Sequence, residues 1–113
     1  MKRIREGIRL SEQQTIRISD WDVPLNLFED YVKFSTFVDQ YLDGTLDMPS
    51  HTDYERRTRW LLCVQKIMEI HREICKIIGI PYSEDHNDVF YIEFHREAQR
   101  RKDEKKILEA EKP

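Results

Sequence analysis

No stretch of this sequence is apolar for long enough to cross a membrane, since a spanning helix needs about 20 consecutive apolar residues. The first residues, MKRIREGIRLSEQQ, carry charges but no apolar core of the kind a secretory leader has. These two absences make a cytoplasmic location the expectation. Glycine is scarce, with three residues in 113, which leaves little backbone for a phosphate-cradling loop. No Walker-type loop, G-x-S-x-G elbow, H-E-x-x-H or C-x-x-C occurs. The Glu-x-x-His spacing that aligns two metal ligands on one helical face is missing as well. Around His71 and His95 the nearest glutamates stand two residues away and point elsewhere. Neither cofactor nor metal is therefore expected, and the chain is not read as an enzyme.

Cysteine is equally sparse. Cys63 and Cys75 fall within one expected helix, where twelve residues separate them by about 18 Å. That is far beyond disulfide reach, so both are read as small buried hydrophobes of a reducing compartment.

What is present points to helices. Charged residues make up 36% of the chain and hydrophobic ones 39%, a balance too rich in apolar groups for a disordered chain. At this length one domain, residues 1–113, is the default. Net charge is −3 but unevenly spread. Residues 1–19 sum to +3, 20–53 to −7, 54–78 to +3 and 79–113 to −2. Such patterning speaks to partners rather than to fold.

In the basic segment 1–20, Ile4, Ile8 and Leu10 alternate with Arg3, Arg5, Gly7 and Arg9, as in a strand. Thr15-Ile16-Arg17-Ile18 repeats the alternation, and a short hairpin between the two runs is one reading, although no Asn-Gly or Asp-Gly marks its turn. A first helix follows. Asp22 or Asn26 can cap it, Asn26 with Glu29 resembles a capping box, and Pro24 suits a first turn. Leu27, Phe28, Tyr31, Phe34, Val38, Tyr41 and Leu42 recur at helical spacing until Gly44. The second helix is marked at both ends, by Thr52 with Glu55 at its start and by Gly79 and Pro81 at its close. Residues 89–94 carry strand-forming side chains, yet Phe90, Phe94 and Ala98 share one helical face, which favours a helix. Residues 96–113 read as a charged helix with few apolar anchors, fraying at its end. The expected fold is a mainly α, small helical domain of two or three helices, with or without a short N-terminal β element.

Trp60, Val64, Ile67, His71, Ile74 and Ile78 follow the alternating four-three spacing of a helix interface. His71 within that stripe is expected to be a neutral histidine of a core or interface, its nitrogens satisfied locally. The second helix has apolar residues beside this stripe too, more than a charged third helix can cover, so the stripe is assigned to an interface between copies of the chain. The functional expectation is a non-enzymatic protein-interaction or regulatory module, homo-oligomeric and acting through a helical surface. The alternative is nucleic-acid binding through Arg3, Arg5, Arg9 and Arg17 with Arg56, Arg57 and Arg59, whose side chains suit phosphate contact. An acidic overall balance weighs against it. A nuclease reading from Asp88, Glu93 and His95 depends on residues 89–94 forming a strand.

Overall fold

The structure is a computed structural model that describes residues 14–46 and 48–111, excepting the side chains of 110 and 111. It is mainly helical, as the periodicity predicts, with three helices behind a two-stranded antiparallel hairpin.

The hairpin joins β1 (Thr15–Ile18) to β2 (Trp21–Pro24), with Ile18 opposite Trp21 and Thr15 opposite Pro24. This corrects the expected start of the first helix. Thr15–Ile18 pairs with a strand downstream of it that the sequence did not announce, while the Lys2–Leu10 run falls outside the described residues. Asp22 and Pro24, read as a helix start, belong to a strand. The turn needs only Ser19 and Asp20, with Ser19 in the left-handed region at φ 55°. A tight turn has thus formed without the glycine that usually marks it. Ile18 and Val23 point inward and are buried, while Arg17 and Asp22 pair on the open face at 3.1 Å.

Helix α1 (Leu25–Asp43) starts directly after Pro24, with no side-chain cap at that residue. Neither Asp22 nor an Asn26–Glu29 box sets its start. The Leu25 N–H instead donates to the Gln14 carbonyl at 2.9 Å, so the chain entering β1 satisfies one of the free amides of the first turn. Gly44, at φ 77°, closes the helix in the left-handed conformation expected.

Helix α2 (Asp53–Ile78) has the ends its sequence announces. The Glu55 N–H donates to Thr52 Oγ1 at 3.1 Å, and the Thr52 N–H donates to Glu55 Oε1 at 3.0 Å. Gly79 adopts φ 79° and donates to the Cys75 carbonyl. Thr52→Ala is expected to lower stability by about 1 kcal/mol, the usual value of such a cap. Urea unfolding measures it, and an unchanged midpoint would show that the box contributes nothing.

Helix α3 (Val89–Glu111) settles residues 89–94 as helix. The Tyr91 N–H donates to Asp88 Oδ2 at 3.0 Å, a cap that the sequence reading passed over. Phe90, Phe94 and Ala98 are buried along one face while Ile92 is exposed. A strand would have placed Ile92 with the two phenylalanines.

Helix α1 lies centrally. Its far end meets the start of α2, where Tyr41 stacks on Trp60 at 5.2 Å, so α1 and α2 run antiparallel. Helix α3 runs alongside α1 in the same direction. Phe94 packs its ring edge-on against Tyr31 and Phe28, and eight residues on, Lys102 Nζ donates to Ser35 Oγ and Asp39 Oδ2 at 2.6 and 2.7 Å. The hairpin closes the end of the bundle, with Trp21 edge-on to Phe90. Among the described residues α2 and α3 do not approach each other at the backbone. They meet through aromatic side chains gathered around His71.

Candidate functional site

Two features stand apart from ordinary core packing. The first is the contact between α2 and α3. His71 is 3% exposed. Its ring stacks on Phe94 at 5.3 Å and meets the edge of Tyr82 at 4.9 Å, with Tyr91 and His95 at 6.0 and 6.3 Å. Burial, with the nearby His95 as a lesser cause, pulls its pKa from 6.5 down to about 4. His71 is therefore a neutral buried histidine, as its place in the stripe predicts. The expectation that its nitrogens are satisfied is corrected at one of them, because Nε2 has no hydrogen-bond partner among the described residues.

His95 stands beside it on α3. The Tyr31 hydroxyl lies 3.2 Å from one ring nitrogen of His95 and 3.3 Å from the other. Burial lowers the His95 pKa and raises that of Tyr31. Tyr82 is pushed up to about 12 by burial and then by neighbouring Glu84. Tyr31, His71 and His95 line a shallow cavity of about 210 Å³ with Met68, Glu84 and Tyr91. Among the described residues no three His, Cys, Asp or Glu side chains converge as metal ligands would. The nuclease arrangement loses its strand, and Asp88 serves as a helix cap.

The second feature lies on the opposite side of α1. There, α1 and α2 enclose a groove of about 590 Å³. Its floor is Phe34, Phe37, Leu62 and Cys63, and its rim is Lys33, Arg59, Lys66 and Glu69. On α1 these positions lie roughly half a turn from Tyr31, Ser35 and Asp39, which face α3. Leu62 is 60% exposed. A smaller hollow shares Leu62 and Arg59 and extends past Tyr54 towards His51. Lys66 pairs with Glu69 at 3.9 Å, while Lys33 and Arg59 have no carboxylate partner among the described residues.

The stripe read from spacing is largely consumed inside the chain. His71 and Ile74 are buried, Ile67 and Ile78 pack partly buried against the core, and Trp60 and Val64 are half-buried. What α2 leaves exposed is a different set, Tyr54, Leu61, Leu62, Met68 and Ile77. Spacing found the inward face and missed the groove, although the adjacent pair Leu61-Leu62 departs from the four-three pattern and was the available signal.

Among the described residues the arginines do not form one surface. Arg3, Arg5 and Arg9 lie outside the described residues. Arg17 pairs with Asp22 on the hairpin, at the opposite end of the α1–α2 pair from Arg56, Arg57 and Arg59. Arg56 donates to the carbonyls of Met48 and His51 and pairs with Asp53, which ties the loop before α2 to the helix. Arg57 is exposed, and Arg59 sits on the groove rim. No helix of the described residues is long and apolar enough to cross a membrane. Compared with protein-family models, with curated proteins and with solved structures, the chain matches none.

Proposed function

We propose that the protein is a non-enzymatic protein-interaction module of a regulatory kind, and that it acts through the outer face of α1 and α2 by associating with itself. The observation that carries this reading is the groove. It is an apolar floor at an accessible surface, within the size range of pockets that hold ligand groups and rimmed by charge in the manner of a docking face. Buried aromatic and aliphatic side chains explain themselves as core, but Leu62 and the exposed edges of Phe34 and Phe37 are covered by none of the described residues. Arg17 and Arg56, engaged within the chain, contribute little to a phosphate-binding surface, so protein rather than nucleic acid is the partner favoured.

Light scattering coupled to size exclusion tests this directly. At micromolar concentration the mass is expected to be at least twice the 13.8 kDa of one chain. Leu62→Glu is expected to weaken association at least tenfold without loss of helicity, because the residue is exposed. A monomer at high concentration would defeat self-association. A mass unchanged by Leu62→Glu would move the interaction to another face.

A further inference from the structure

We infer that the groove is filled by the end of α3 from a second copy of the chain, each copy giving its helix end to the other. The inference rests on the self-association proposed above and specifies its contact. Beyond Lys102 the α3 side chains that turn to α1 are charged, with Lys105, Lys106 and Glu109 lining one hollow with Asp39 and Asp43. Ile107 and Leu108 face away and are 58% and 61% exposed. No contact among the described residues accounts for two adjacent aliphatic side chains in that position.

Glu104 precedes them by three and four residues and so shares their side of the helix. Within the chain it pairs only with Arg100, an exposed pair that contributes little. The helix end therefore offers two aliphatic groups with a carboxylate one turn away. The groove offers an apolar floor with Lys33 and Arg59 lacking carboxylate partners. The two surfaces match in polarity and charge, as a helix laid into a groove requires. They cannot meet in one chain, because α3 is held along α1 on the side away from the groove by Phe94 and Lys102.

One helix end in one groove falls short of the roughly 800 Å² per partner that a stable complex buries. A two-fold arrangement makes the contact twice, and closure into a dimer keeps an unlike contact from propagating into a filament.

Complementation between variants tests the pairing. Leu62→Glu disables the groove, and Ile107→Glu with Leu108→Glu disables the helix end. All three positions are exposed, so folding is retained and circular dichroism checks it. Each variant alone is expected to elute with half the wild-type mass. Mixed together they keep one intact contact, the groove of the second variant with the helix end of the first. The mixture is therefore expected to associate where neither variant does alone, at least tenfold more weakly than wild type. If the helix-end variant keeps the wild-type mass, or the mixture shows no association, the inference is overturned while self-association through the groove face stands. If the wild-type chain is itself a monomer, both fail.

Discussion

Phe94→Ala is expected to lower stability by about 4 kcal/mol, within the range for removing a fully buried phenylalanine. Domains of this kind have only about 5–15 kcal/mol in total, so the variant stands close to unfolding. The size of the effect follows from position. Phe94 is fully buried, its ring 4.5 Å from Tyr31, 5.8 Å from Phe28, 5.3 Å from His71 and 5.3 Å from Phe90. It touches α1, α2 and the preceding turn of α3 together. The helix contributes only Phe90, Phe94 and Ala98 to the buried core among the described residues, and much of its remaining surface is charged. Exposed pairs such as Arg96–Glu93 cannot hold it in place. Urea unfolding followed by circular dichroism reads the loss, with the exposed Val89→Ala as the control. A cost below about 1 kcal/mol would mean that α3 is not anchored through this ring.

The parts of the fold that were legible in the sequence are those whose signals are local. Thr52, Glu55 and Gly79 act on backbone groups within a turn of themselves, and both ends of α2 fall where they indicate. Strand β2 was hidden as a helix start because its signals are shared. An aspartate followed by a proline begins helices as readily as it ends strands, and Ser19 carries a turn that glycine usually marks. Residues 89–94 were ambiguous for a different reason. Val89, Phe90, Tyr91 and Ile92 all have high strand propensity, and only burial of Phe90, Phe94 and Ala98 against α1 decides between the two conformations.

The candidate surface shows the deeper limit. Spacing identifies the side of a helix that meets something apolar, but not whether that partner is the same chain. The stripe from Trp60 to Ile78 met α1, the hairpin and α3, and apolar residues beside it stay exposed. Arg56, Arg57 and Arg59 looked alike as a cluster, yet a helix turns each by about 100°. One fastens the preceding loop, one faces solvent and one borders the groove.

The pH dependence of stability is expected to be steep on the acid side of neutrality, and His71 is its main source. In the unfolded chain a histidine titrates near 6.5, whereas folding holds His71 near 4. Below pH 6.5 the unfolded chain binds a proton that the folded chain refuses, so stability falls as pH falls. The contribution is complete above pH 6.5 and is lost progressively down to the folded value. Between pH 7 and pH 5 it amounts to about 2 kcal/mol for this one residue. The groups that face His71 are Tyr91 and His95 from α3 and Tyr82, Glu84 and Asp88 from the preceding loop. The carboxylates draw its pKa upward and His95 draws it down, but burial outweighs them. His95 is shifted in the same direction, so it adds to the slope rather than cancelling it. Asp43 and Glu55 are held below the ordinary carboxylate range by hydrogen bonds to Thr45 and Thr52. Their effects therefore begin below pH 5 and leave the histidine window clear. Urea unfolding at intervals from pH 7 to pH 5 should show the loss, and His71→Leu should remove most of it. The leucine also ends the unpartnered state of Nε2, so the variant is expected to match or exceed wild-type stability at pH 5. An equal loss in both proteins over that range would show that His71 is not the buried neutral group described.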